Sequence, residues 1–168
     1  MKSFYDTFPT PLGNFSVALD ADGVVFATAF GGLTELCRRF FVEEIVRDPV
    51  RSAAIRAEIG EYFTGERRYY TAKLNPGGTT FQRKVWAALQ RIPFGETRSY
   101  VEMATEIGHP GAARAVGRAN ALNLICLIIP CHRVIGADGT LTGFAFGETI
   151  KRELLAHEKA PFLLRAGE

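Results

Sequence analysis

Cysteine, histidine and arginine stand side by side in the string Pro130-Cys131-His132-Arg133-Val134. A thiolate is a strong, soft nucleophile, and its reactivity depends on how far neighbours pull the thiol below its ordinary value of about 8.5. Imidazole and guanidinium groups are neighbours of that kind, so the string asks what Cys131 attacks. Without context, a cysteine is more often a small core hydrophobe than a nucleophile. Cys37 and Cys126 sit in apolar surroundings and fit that reading. On a helix the side chains of Cys131 and His132 diverge by about 100°, so a direct hydrogen bond is awkward. A relay through water is easier to build, with His132 taking the thiol proton and Glu158 orienting the imidazole. Glu158 also has a purely structural reading. It falls on the apolar arc of a last helix with Ile150, Leu154 and Leu155, where a carboxylate needs a partner. Lys151 projects at nearly the same angle and is a candidate partner. A zinc site from Cys126, Cys131 and His132 is disfavoured, because His109 and His157 complete no recognised ligand spacing.

The elements that must position these groups are punctuated along the chain. Residues 124–129 are continuously apolar and predict a buried strand that Pro130 ends, fixing where Cys131 emerges. Upstream, Thr79-Thr80-Phe81-Gln82 is a capping box ahead of Phe81, Val85 and Leu89 on one helix face, and Pro93 stops that helix. Ser99-Tyr100-Val101-Glu102 is a second capping box, opening a short helix that ends at Gly108. A third helix is expected from Pro110 through Asn120. Two helices joined by a few residues containing Gly outline either a helix-turn-helix or an ordinary helical hairpin. On the third helix Ala112, Ala113, Ala115, Gly117 and Ala119 are small, and Arg114 and Arg118 share a face. Such a surface suits close approach to another helix or to a DNA groove. Asp138-Gly139 marks a turn between Val134-Ile135 and Leu141.

The N-terminal part reads as a β-hairpin followed by helices. Phe15 to Leu19 and Val24 to Phe30 are strand-like and joined through Asp22-Gly23. Ile55, Ile59, Tyr62 and Phe63 recur at helical spacing. Asn75-Pro76-Gly77-Gly78 breaks every pattern, which predicts a linker between a domain at 1–78 and another at 79–168. No stretch is long enough to span a bilayer, and the first residues lack the apolar run of a signal peptide. Three cysteines without framework spacing fit a reducing cytosol. A net charge of +2 is too small to argue for nucleic acid by itself, so any DNA site must come from local arginine clustering.

The segment from Phe81 to Glu158 resembles the catalytic domain of the O6-alkylguanine-DNA alkyltransferases. The resemblance rests on Phe81-Gln82 with Val85-Trp86, Ile92-Pro93, Gly95-Glu96-Thr97, Ser99-Tyr100, Ala113-Arg114-Ala115-Val116-Gly117, Ala119-Asn120 and Asn123. It continues through Ile129 to Val134 and Leu154-Leu155 with His157-Glu158. The first 78 residues are similar to that family's variable N-terminal domain only loosely. The resemblance implies an α/β N-terminal domain and a mainly α C-terminal domain with a winged helix-turn-helix. It implies a DNA repair protein whose Cys131 accepts the alkyl group from O6-alkylguanine, and to a lesser degree from O4-alkylthymine. By the same resemblance His132 and Glu158 form a water-bridged relay, and Asn123 is the hinge near the cysteine. Tyr100 and Arg114, with Ser99, Arg118 and Ala113, fall at the DNA. Tyr100 crowds the phosphate and Arg114 enters the stack where the flipped base was. Tyr100, Val134, Phe144, Ala145, Phe146 and Lys151 fall around the base pocket. The implied partner is duplex DNA carrying the lesion, met through its minor groove by a monomer in the cytosol, with no membrane and no cofactor.

This sequence departs from the family pattern at three places. Leu124 stands where the family has a proline after the hinge asparagine, Phe144 where it has a pocket tyrosine, and Phe146 where some members have glycine and others tryptophan. The N-terminal domain also lacks the cysteines and histidines with which some members bind zinc, so no metal is expected. Transfer to sulfur makes a thioether that water does not readily cleave, so the protein should react once. Two rivals differ in outcome. A cysteine hydrolase using Cys131, His132 and Glu158 would turn over on acyl substrates, and a module that only binds lesions would have no use for Cys131.

Overall fold

A computed structural model describes residues 2–164, and the chain divides into two compact units, Met1–Gly77 and Gly78–Glu168. In the first unit, strands β1 (Lys2–Thr10), β2 (Gly13–Leu19), β3 (Val25–Phe30) and β4 (Glu44–Arg47) form one sheet in the order β3-β2-β1-β4. The expected hairpin is β2 and β3, paired antiparallel. Its turn is built as the residue types dictate. The Asp20 carboxylate accepts from the amides of Asp22 and Val24, and Gly23 takes a φ of 80°, in the left-handed region. The hairpin is not alone. β1 flanks β2 antiparallel, and β4 joins β1 in parallel. Helix α1 (Leu33–Cys37) links the hairpin to β4, and α2 (Ala53–Thr64) buries Ile55, Ile59 and Tyr62, as their spacing predicts. Asp6, on β1, accepts from Ser52 at 2.8 Å, Arg56 at 2.6 Å and Arg47 at 3.3 Å. Burial alone would push its carboxyl up. The hydroxyl and the two guanidiniums overcome that and hold it below the ordinary range.

The second unit is built from α3 (Thr80–Gln90), α4 (Tyr100–Glu106), α5 (Ala113–Ala121) and α6 (Glu148–His157), with a parallel pair of two-residue strands, β5 (Arg98–Ser99) and β6 (Val134–Ile135). Both expected capping boxes form. The Thr79 hydroxyl accepts from the Gln82 amide, and the Ser99 hydroxyl from the Glu102 amide, each with the reciprocal bond. Helix α3 buries Val85, Trp86, Ala88 and Leu89, and the Trp86 indole donates to the carbonyl of Ala119 at 2.8 Å, pinning α3 to α5. Helix α5 begins at Ala113 rather than at Pro110. The residues before it close a turn in which the Ala112 amide donates to His109 at 2.9 Å. The last core cluster joins Ile135, Leu141, Leu155 and Ala160. No helix among the described residues is long and apolar enough to cross a membrane.

Residues 124–129 are not a strand. Asn123 is buried, and its side chain accepts from the Ile125 amide at 3.0 Å and donates to the Ile129 carbonyl at 2.9 Å. The Ile129 amide returns to the Ile125 carbonyl at 2.9 Å, and Leu127 takes a φ of 73°. The amide side chain supplies locally what a sheet partner would supply, so the apolar run folds into a buried turn.

Candidate active site

That turn delivers Pro130 into a short 3-10 helix, Cys131–Arg133. The Cys131 amide donates to Ile129 at 2.8 Å, and its carbonyl accepts from the Asn120 side chain of α5 at 3.3 Å. Cys131 is thereby fixed from both sides, with 4% of its surface exposed.

Behind it lies a buried ionic cluster. Glu158 caps the C-terminus of α6, and its Oε2 is 2.7 Å from Nε2 of His132. The Arg133 Nε donates to Oε1 at 2.8 Å and Nη2 donates to Oε2 at 3.2 Å, while Nη1 donates to the Ile92 carbonyl at 2.7 Å. Burial alone would raise the Glu158 carboxyl. His132 and Arg133 outweigh it and hold Glu158 ionised, far below the usual carboxylate range. Burial lowers His132 despite the pull of Glu158, so the imidazole is neutral near pH 7. A carboxylate only accepts, so Nε2 carries the ring proton and Nδ1 carries the lone pair. That Nδ1 is buried and has no protein hydrogen-bond partner among the described residues. The cluster therefore presents an oriented neutral base whose other nitrogen is locked by a carboxylate.

The Lys151–Glu158 pair that the helix angle allowed does not form. The Lys151 Nζ donates instead to the Val134 carbonyl at 2.7 Å and to Thr142 Oγ1 at 2.9 Å. Glu158 sits at the helix cap, seven residues on, and turns to the Cys131–Arg133 segment. Burial lowers the Lys151 ammonium to about 8, against the opposing pull of Cys131 and Glu148. Thr142 Oγ1 is also 2.9 Å from the Tyr100 hydroxyl. Burial raises the Tyr100 phenol, with the Thr142 contact opposing and Cys131 adding to the rise. The Tyr100 ring faces Gly117 of α5, where an added Cβ would lie 3.6 Å from it. Tyr100, Val134 and Lys151 thus meet in one cluster. Phe144 and Phe146 are half-buried and meet edge to face at 5.8 Å, with Ala145 exposed between them.

Arg114 and Arg118 are exposed on α5, and Ala113 is half-buried at its start. Ser99 is buried and its hydroxyl is engaged as the cap of α4. Cys126 is buried; Cys37 is half-buried at the end of α1, where burial raises its thiol. Three participants carry no role in the sequence reading: Arg133 as partner of Glu158, Asn120 as the anchor of Cys131, and Thr142. The first two lie in strings already singled out, so their presence was legible and their partners were not. Thr142 had no sequence signal. His109 and His157 are spent on the edges of Phe81 and Phe94. No group of three or more His, Cys, Asp or Glu suited to a metal occurs among the described residues.

The family model of the 6-O-methylguanine DNA methyltransferase DNA-binding domain matches residues 80–160. A methylated-DNA–protein-cysteine methyltransferase from Methanosarcina acetivorans is 44% identical over 158 residues, covering 92% of this chain and 97% of the relative. The constitutive enzyme of the same name from Bacillus subtilis is 39% identical, covering 95% and 98%. The crystal structure of Mycobacterium tuberculosis OGT in complex with DNA is similar at a TM-score of 0.84 and 41% identity, covering 94% of this chain and 95% of that one. Similarity of this extent, over nearly the full length of both sequences, places the chain in the methylated-DNA–protein-cysteine methyltransferase family.

Proposed function

We propose that the protein repairs alkylated DNA by moving the alkyl group of O6-alkylguanine, and less readily that of O4-alkylthymine, onto Cys131. The observation that carries this is the neutral His132, held by Glu158 at Nε2 and offering an unpartnered Nδ1 one residue from the thiol. The thiol proton passes to Nδ1, directly or through a water. The sulfur attacks the alkyl carbon in line with the C–O6 bond. That bond breaks, its electron pair stays on the base, and the proton taken up by His132 returns through solvent to the base, which becomes guanine. The product is a thioether, which has no acyl carbon for water to attack, so the protein is consumed in one turnover.

The lesion's alkyl carbon lies inside the duplex stack, so the base is flipped out before transfer. Helices α4 and α5 act as a helix-turn-helix, with a wing, whose small-residue face meets the minor groove. Tyr100 crowds the backbone phosphate, Arg114 fills the vacated stack and Arg118 contacts phosphate. Val134, Phe144, Ala145, Phe146 and Lys151 border the base, and Asn123 holds the hinge before the cysteine. The protein acts as a monomer. The complex of the Mycobacterium tuberculosis relative with DNA supports DNA as the partner. The test is peptide mass spectrometry after incubation with a methylated duplex. One methyl group on Cys131, with stoichiometric and non-repeating transfer, is expected. Modification at Cys37 or Cys126, or sustained turnover, overturns the reading.

A further inference from the structure

Lys151 is a buried ammonium that no carboxylate pairs among the described residues. A buried charge without a counter-ion is costly, and such groups are kept where their charge is used. The Lys151 Nζ holds the carbonyl of Val134, three residues past Cys131, and Tyr100 follows Ser99, which pairs with Ile135 on the same segment; both groups feel the charge of Cys131. What ties them to each other is one hydroxyl. Thr142 lies 2.9 Å from the Lys151 Nζ and 2.9 Å from the Tyr100 oxygen.

The donor inventory fixes the direction of the bond to Lys151. An ammonium only donates, so Thr142 accepts from Lys151. Tyr100 is the other partner of Thr142 among the described residues, and either hydroxyl can donate in that contact. We propose that Thr142 is a positioning residue of the transfer reaction, whose hydroxyl ties the Lys151 ammonium to the Tyr100 phenol and so fixes a cation and a phenol beside Cys131. The inference rests on the reading of Cys131 as the acceptor. The groups coupled to the thiol are Lys151 from α6 and Tyr100 from α4; Glu148 acts on Lys151, and Glu158, Arg133 and Lys151 act on His132, the next residue. Of these contacts, Thr142 controls two without carrying a charge itself.

Thr142→Val keeps the shape and removes the hydroxyl, and Thr142→Ser keeps the hydroxyl. Two measurements on the full chain separate the possibilities. The rate at which iodoacetamide modifies Cys131 across pH, followed by peptide mass spectrometry, reads the thiolate fraction without DNA. Single-turnover transfer from a methylated duplex reads the reaction. In the valine variant the thiol midpoint should move up by about one pH unit, and transfer at neutral pH should fall about tenfold. The serine variant should return both toward the parent. A lower melting temperature with an unmoved thiol profile marks a merely structural threonine and overturns the proposal. A valine variant indistinguishable from the parent does the same. If the parent takes iodoacetamide at Cys131 but never a methyl group, the acceptor reading fails instead, and the thiol profile still decides what Thr142 does.

Discussion

At the scale of single residues, the chemistry turns on one proton position. Burial and the ionised Glu158 leave His132 neutral with its lone pair at Nδ1. Its folded value lies below the ordinary 6.5, so the imidazole stays a base at pH values where a solvent-exposed histidine is charged. The acid limb of methyl transfer should therefore centre below pH 6.5, and a single-turnover profile whose acid limb centres at 6.5 or higher would refute the assignment. Stability has the matching sign. As pH falls below 6.5 the unfolded chain takes up the histidine proton first, so stability drops from there. The contribution of Glu158, complete above its ordinary 4.5, is lost only at lower pH. Phe146 is a second residue-scale test. It is half-buried and edge-on to Phe144, at the pocket mouth in the proposed reading. Phe146→Gly should raise inactivation by free O6-benzylguanine about tenfold, while methyl transfer stays within about threefold. Losing a half-exposed ring and one aromatic pair should lower the melting temperature modestly, the pair itself being worth about 1 kcal/mol. Unchanged benzylguanine reactivity in a variant that melts near the parent would show that Phe146 is not the gate.

At the scale of elements, the turn at 123–129 and helix α5 carry the site. Asn123 replaces a sheet ladder with two side-chain bonds in the interior. Asn123→Ala takes the Ile125 amide's acceptor away in the interior, at a cost of about 1–3 kcal/mol, and leaves the Ile129 carbonyl with the Cys131 amide as its donor. Urea unfolding should show a loss of about 1–3 kcal/mol, and a loss under about 0.5 kcal/mol would mean that the turn is held by packing instead. Helix α5 presents Arg114 to solvent while Val116 and Ala119 face inward. If Arg114 fills the stack, Arg114→Ala should slow repair in duplex DNA about tenfold and leave reaction with a free alkylated base nearly unchanged, since only the duplex demands extrusion. Equal slowing on both substrates would assign Arg114 to folding or chemistry.

At the scale of the whole molecule, two units carry separate networks: the Asp6 cluster in one, the Glu158 cluster in the other. Asp6 is met by two guanidinium groups and Glu158 by one, which satisfies these two carboxylates without a metal. With no cluster of metal ligands among the described residues, treatment with a chelator should change neither methyl transfer nor the melting temperature. A lower melting temperature after chelation would reveal a structural ion.

Local signals were legible wherever cause and effect lie within a few residues. The capping boxes at Thr79 and Ser99, the Asp20–Val24 turn and the apolar face of α2 each depend on bonds or spacings inside one element. The order of Pro130-Cys131-His132-Arg133 and its upstream strings identified the family. Misreadings occurred where an apolar run or a helix angle had more than one physical solution. Residues 124–129 satisfy both a strand and a buried turn, and only the Asn123 side chain, closing on Ile125 and Ile129, decides for the turn. Glu158 satisfies both a lysine seven residues before it and a site far upstream. Its partners His132 and Arg133 are 26 and 25 residues away. Thr142 likewise reaches Tyr100 across 42 residues. Sequence therefore determined which groups are available and which short elements hold them. Which buried charge meets which partner was decided by the tertiary fold, because desolvation lets a buried carboxylate, imidazole or ammonium persist only where distant segments bring it a matching donor or acceptor.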